Sequence, residues 1–482
     1  MSSKKNSNLV DTEYDVIIIG GGGAGLAAAL QASEKGGKVC VVESRKNLGG
    51  NTSMASVMFG AETPFQKRMQ IDVSRDMAFK TAMNYAHWKI NPRIVRAFID
   101  STGETIQWLE DRGVEFIDIP NYFPFQKPRV FQIIKGQGST MCKILAQKCE
   151  ELGVQFFRET KVNKILVNEK GAVEGVSVAV NDGQHKIAGK CVIIATGGYG
   201  NNNEMLKKYC PTYSEDMVHF GMPINFGEGI RMALDVGAAP EGLGLVHAIG
   251  PRYGGSNYVA AIVVEPNTVW VNKKGQRFVD EALSFRWPEA GNALSRQPDR
   301  ICYTLFDERI KNIFVKQGVS RGWMKYPTGT KMIKLDQEIK SQLNDKEIMV
   351  ADSWETIAQW MNVPLNILTN TIEEYNNSCH QGCDQIFAKD PNFLLPLSNP
   401  PYYAIKCRQG YHGTVGGIKI DEHMQVLDKN DVPISGLFAA GADTGGWEGD
   451  TYCLELSGST LAFAIVSGRI AGKNAVKFAG MN

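Results

Sequence analysis

The chain has 482 residues, enough for two to three domains at roughly 150 residues each and for a large buried core. With 43% hydrophobic and 21% charged residues its composition is globular, which excludes disorder over most of its length. Lys and Arg number 52 against 51 Asp and Glu, a net charge of +1, so bulk charge points to neither nucleic acid nor an anionic membrane as partner.

The segment up to Glu13 is polar, with no apolar run before Val16 and no twin arginine, so no secretory signal is expected. Asp15 to Ile19 reads as a buried parallel strand, Gly20 to Gly25 as a turn, Leu26 to Lys35 as a helix, and Lys38 to Glu43 as a second strand. The glycines make this a β-α-β unit rather than a membrane span. Residues 91–149 read as mostly helical, with an aromatic loop at 122–131, and 154–180 as a meander of short strands. Lys190 to Thr196 is another buried strand, closed by Gly197 and Gly198. Residues 240–399 change texture, hold most of the prolines and tryptophans, and include an amphipathic helix over 354–379. The fold class expected is therefore α/β: a Rossmann-like dinucleotide-binding domain (parallel sheet with β-meander) over 1–239 and 400–482, with an inserted α+β cap domain over 240–399.

Ten cysteines occur, none in a CxxC pair, which argues against a zinc ribbon, c-type haem or a ferredoxin-like cluster; no metal is expected. Cys379 and Cys383, four apart, read either as a thiol pair or as two unrelated thiols. Reduced cysteines and the missing signal suggest the cytoplasm.

Gly20, Gly22 and Gly25 fit G-x-G-x-x-G, with Gly23 and Ala24 between, after a strand and at the start of a helix. Gly22 lets backbone approach a pyrophosphate on the helix N-terminus, and Glu43 is placed to accept hydrogen bonds from ribose hydroxyls. The following Leu48-Gly49-Gly50-Asn51-Thr52-Ser53 is a second small-residue loop, which a nicotinamide dehydrogenase does not need and a flavoenzyme uses. FAD is the cofactor expected.

At this point the chain resembles the fumarate reductase/succinate dehydrogenase flavoprotein family, which includes the 3-ketosteroid dehydrogenases. Four blocks carry the resemblance in the family's order: Gly20–Gly25 with Glu43; Gly49–Ser53; Ala195-Thr196-Gly197-Gly198-Tyr199; and Gly436–Gly446 with Ser457–Gly472. The resemblance implies that Ser44, Val162, Thr196, Gly197 and Gly198 line the FAD site. It implies that Asp443 binds the ribityl chain, where a simple turn cap is the other reading. It places Ser457, Ser459 and Thr460 at a helix N-terminus facing the flavin pyrimidine ring, where the dipole favours negative charge on the reduced ring. Asn51 to Phe59 holds no histidine for a covalent link, so FAD is expected to be noncovalent.

The family's catalytic arginine follows an Arg-Phe-x-x-Glu stretch, here Arg277-Phe278-Val279-Asp280-Glu281, and the match is Arg286. Arg286 is expected to be the proton donor, with a surface arginine or a substrate carboxylate clamp as the other readings. With a free pKa above ~12, an arginine needs a relay to reprotonate it, and Glu281 or Asp280 would serve. Tyr411-His412-Gly413 matches the family's substrate-binding histidine segment, His412 against a carbonyl or carboxylate oxygen or else a structural histidine. His247 is a second substrate candidate by its distance before Arg286.

Two anchors for a C4-dicarboxylate are missing. The family's Thr-Glu pair is replaced by Tyr258-Val259-Ala260-Ala261-Ile262-Val263, and the arginine of the loop before the last helix is absent, with Tyr452 near its place. An unpaired carboxylate in a dry site costs several kcal/mol, roughly. The substrate expected is thus a less charged compound with an activated C=C, an α,β-unsaturated carbonyl or carboxylic acid, and not fumarate. Tyr411, Trp447 and Tyr452 would face it, unless they are plain core aromatics. Hydride would come from FAD N5, with His412 and Tyr452 polarising the carbonyl oxygen. A 3-ketosteroid dehydrogenase-like desaturase and a flavin-binding electron-transfer subunit are the alternatives. With no haem or cluster motif, electrons must come from a separate donor: a protein, reduced flavin or nicotinamide.

Overall fold

A computed structural model of the protein describes residues 13–120, 129–180, 183–254, 257–322, 325–343 and 346–481. Most of the expected aromatic loop, 122–128, lies outside the described residues. The chain divides into two compact units, one of Met1–Pro211, Gly221–Val246 and Gly413–Asn482, the other of Thr212–Phe220 and His247–His412. Composition marks the change of texture near 240 and 400. The division at 412 falls inside the continuous strand Tyr402–Ile418, and Thr212–Phe220 joins the second unit because Val218 and His219 pair with Gly410 and Tyr411. Local composition reports neither.

In the first unit, β1 (Tyr14–Ile19) is an apolar run buried at every residue. The helix α1 (Gly23–Glu34) begins three residues before the expected Leu26, within the glycines themselves. β2 (Val39–Val42) pairs parallel to β1. The sheet runs in the order Gln425–Leu427, Pro433–Ala439, Gly183–Ile194, β1, β2, Gln155–Phe157. All neighbours are parallel except the first pair. Strands buried on both faces need no polar alternation, which is why these read as continuous aliphatic runs. Lys161–Val167 and Val173–Val180 form the meander, which continues antiparallel into Gly183–Ile194. The terminal helix, Ser459–Phe478, lies at backbone contact with α1. A Cβ on Gly468 or Gly472 would stand 2.2 Å from Ala24 O or 2.4 Å from Ala28 O. Two glycines four apart on one helix face make that approach possible.

The second unit is built on an antiparallel sheet in which Ile301–Asp307 pairs with Val269–Asn272 on one side and with Tyr402–Arg408 on the other. Trp270, Phe306, Phe314 and Tyr375 fill its core. The single helix expected over 354–379 is two, Trp354–Met361 and Leu365–Gln381, parted by Asn362 at φ 56 and by Pro364. Cys379 sits in the second of these and Cys383 just beyond its end, exposed; all ten cysteines are free.

Glu281 anchors this unit. It is fully buried, 2.9 Å from Arg277 and 3.0 Å from Lys389, and takes the Trp270 N–H at 3.1 Å; Asp384 completes the group on Arg277 at 2.9 Å. Two cations and these hydrogen bonds hold the Glu281 carboxylate below its usual range in spite of burial. Among the described residues no helix is long and apolar enough to cross a membrane, and no group of three or more His, Cys, Asp or Glu could hold a metal ion.

Candidate active site

The turn after β1 closes only with glycine at both ends. Gly20 has φ +104, and a Cβ on Gly25 would stand 1.9 Å from Gly20 O. Glu43, at the end of β2, braces it: Oε2 accepts from Gly21 N at 2.8 Å, while Oε1 accepts from Arg45 N at 2.9 Å and Ser44 Oγ at 3.3 Å. The small-residue loop docks alongside. Gly49 N donates to Gly21 O at 2.8 Å, and Gly23 N donates to Thr52 Oγ1 at 3.2 Å. Gly50–Met54, with Asn51, Thr52 and Ser53, is a short 3-10 helix, and Asn51 Oδ1 accepts from Met222 N at 2.8 Å.

A dinucleotide diphosphate fits this arrangement. A Cβ built on Gly22 meets only Gly49 O, at 4.0 Å, so the start of α1 opens onto a floor of glycine backbone. α1 has no side-chain cap and no acid in its first turn. Its leading amides, of which Ala24 is one, and its dipole therefore suit an anion. Val162 is buried in Lys161–Val167 opposite Val178.

Asp443 holds the second glycine turn. Its Oδ1 accepts from Thr196 Oγ1 and Gly198 N, both at 2.9 Å, and its Oδ2 from Gly197 N at 2.8 Å. Burial outweighs these bonds and leaves the carboxyl above its ordinary value. Asn225, which the sequence did not single out, donates from Nδ2 to Gly197 O.

Ahead of the terminal helix the loop folds onto its own amides. Tyr452 Oη accepts from Gly458 N at 2.7 Å, and Glu448 Oε1 accepts from Cys453 N at 3.4 Å. Gly458, at φ +88, caps the helix without a side-chain bond, and no acid sits in the first turn beside Ser459 and Thr460. Ser457 Oγ donates to Leu454 O. Trp447 is a core residue, stacked on Phe463 at 4.0 Å with its indole N–H on Thr444 O. Burial holds the Tyr452 phenol far above its ordinary pKa, as a neutral donor.

Glu448 is the residue here that sequence reasoning missed. Its carboxyl is buried, and burial pushes it up to about 8 against the lowering effect of the Cys453 N–H and the Ser459 hydroxyl. The folded protein thus keeps a proton that the unfolded chain releases near pH ~4.3. Stability must fall as pH rises between those two values, by on the order of a few kcal/mol in all. Glu448→Gln removes that dependence. Its thermal midpoint should match the parent at pH 5 and exceed it by several degrees at pH 8.5; parallel curves would refute the assignment.

In the second unit Arg286 precedes the helix Trp287–Ser295, with its Nε 3.6 Å from Glu289 Oε1. The acid beside Arg286 is therefore Glu289. The expected relay residues are engaged elsewhere, Glu281 with Arg277 and Lys389, and Asp280 with the Ala282 N–H at 2.9 Å. The i, i+3 spacing on a helix start was the signal available in the sequence. Trp287 meets His412 edge-on at 5.4 Å and 87°. Burial, with Arg252, His247 and His219 nearby, pushes His412 down to about 3, and burial pushes His247 down to about 4. Both imidazoles are neutral at physiological pH. Tyr411 is buried, stacked on His219 at 4.7 Å. Gly413 opens the return to the first unit, and nothing lies within 4 Å of a Cβ built there.

The chain belongs to the FAD binding domain family, whose profile matches residues 15–455. It is an FAD-dependent oxidoreductase of the fumarate reductase type. It is 32% identical to a vinyl phenol reductase of Lactiplantibacillus plantarum, over 96% of this chain and 97% of that one. It is 29% identical to an NADH:fumarate oxidoreductase of Klebsiella pneumoniae, over 96% of this chain but 48% of that protein, about half its length. A crystal structure of 3-ketosteroid delta1-dehydrogenase from Sterolibacterium denitrificans superposes with a TM-score of 0.82 at 21% identity, over 96% of this chain and 99% of that one, a likeness of fold.

Proposed function

We propose that the protein reduces the activated carbon–carbon double bond of an α,β-unsaturated carbonyl or carboxylic acid compound that carries at most one carboxylate. Reductases of unsaturated compounds among its relatives support the reaction class. The observation that carries the reading is the single segment holding Arg286, its acid Glu289 at 3.6 Å, and Trp287 against a neutral His412.

FAD, when bound, supplies the hydride. Arg286 gives a proton to the α-carbon, and Glu289 returns one to the guanidinium. A neutral His412 acts as hydrogen-bond donor to the substrate oxygen, which stabilises negative charge developing there without itself becoming the acid. Tyr452, a phenol of raised pKa, is a second neutral donor. The electron donor is a separate species.

The test is anaerobic. The reduced holoenzyme is mixed singly with fumarate, urocanate, cinnamate-type acids, 4-vinylphenol and 3-keto-4-ene steroids, and return of the oxidised flavin spectrum is followed. Rapid return with a monoacid or an enone, and slow return with fumarate, is the expected result; rapid return with 4-vinylphenol alone would overturn the carbonyl requirement. Fast reoxidation by fumarate would overturn the substrate reading, and silence across the panel would overturn the reaction.

A further inference from the structure

The second unit holds cations besides Arg286: Arg252 acts on His412, and Arg321 acts in turn on Arg252. Glu265 accepts from the amides of Ser320 and Arg321. Arg321 directs its guanidinium to the carbonyls of Ser284 and Gly322. Burial, reinforced by Arg321, pushes Arg252 down to about 9, which leaves it charged at neutral pH.

The side chain of Arg252 has a built place. Its guanidinium lies over the Phe220 ring at 5.1 Å, and Phe220 meets His412 edge-on at 6.2 Å. A Cβ on Gly410 would come within 2.9 Å of Arg252 Cγ and 3.0 Å of Phe220 Cε2, so glycine at 410 leaves room for this stack. Arg252, Phe220, His412 and Trp287 thus form one connected group of cation, aromatic and neutral donor, and each of the four is partly exposed.

We infer that Arg252 is a substrate anchor: it takes the single carboxylate of an aryl-substituted unsaturated acid, with the rings of Phe220 and Trp287 flanking the aryl group. This rests on the double-bond reduction proposed above. A guanidinium held over a ring is preorganised for a planar carboxylate, so little ordering remains to be done on binding.

The experiment measures binding to the oxidised holoenzyme by titration calorimetry and by perturbation of the flavin spectrum, using cinnamate and its methyl ester. In Arg252→Gln the Kd for cinnamate should rise at least about thirtyfold. The ester Kd should change less than about threefold, so the acid-to-ester preference collapses. Arg252→Lys should recover part of that preference, and unchanged thermal midpoints show that both variants fold. Equal weakening of acid and ester, or no weakening of the acid, overturns the anchor. Because binding is read without turnover, that outcome is separate from a panel in which no compound reoxidises the flavin, which would instead remove the reductase reading.

Discussion

Replacing Arg286 by Met is expected to slow substrate-dependent flavin reoxidation by about 10²- to 10⁴-fold, the usual contribution of a positioned acid. FAD content should not change, because Arg286 and the residues of the FAD cradle belong to different units of the chain. Reoxidation by ferricyanide needs no proton transfer to carbon, so it should keep its parent rate. That contrast separates a chemical defect from a damaged flavin site. Lys at 286 keeps a charge and a proton but loses the planar fork, and should recover only a fraction of the rate. Glu289→Gln keeps the shape of the Glu289 side chain, which stands 3.6 Å from Arg286, but cannot return a proton. It should lower kcat more than kcat/KM. A parent-like rate in Arg286→Met would show that the proton comes from elsewhere.

Asp443→Ala is expected to yield protein largely stripped of FAD. The carboxylate is the acceptor for the Thr196 hydroxyl and for the amides of Gly197 and Gly198. Its loss leaves three donors without their partner, at about 1–3 kcal/mol each where they are buried. The second glycine turn then loses the side chain that joins its hydroxyl to its two amides. An FAD Kd raised at least about a hundredfold follows, with a clear drop in the thermal midpoint of the apoprotein. Asn at 443 is the informative partner. It keeps an oxygen for two donors but turns an NH₂ toward the third, so it should retain part of the FAD. Absorbance at 450 nm against 280 nm and a fluorescence titration with FAD measure both. Full flavin occupancy in the alanine variant would mean that the turn is set by its glycines alone.

The sequence by itself determined the nucleotide-binding half of this protein, because its signals are local. Gly20, Gly22 and Gly25 are required where backbone meets backbone or opens onto empty space. The apolar runs of β1 and β2 follow from burial on both faces, and Glu43 closes the unit at the next strand end. Order and spacing of these pieces were enough to name FAD. What only the tertiary structure decided are the relations between residues far apart in the chain. Asp443 reaches the turn at 196–198, some 245 positions away, to shape it. Glu281 looked like a proton relay beside Arg286 and is instead a buried structural anion between Arg277 and Lys389. Arg252, Phe220 and His412 come together from three segments of one unit. The physical reason is the same in each case. A glycine's freedom or a strand's pattern is a property of a few adjacent residues, whereas a side chain's charge state and partner are properties of burial, which exists only once the chain has packed.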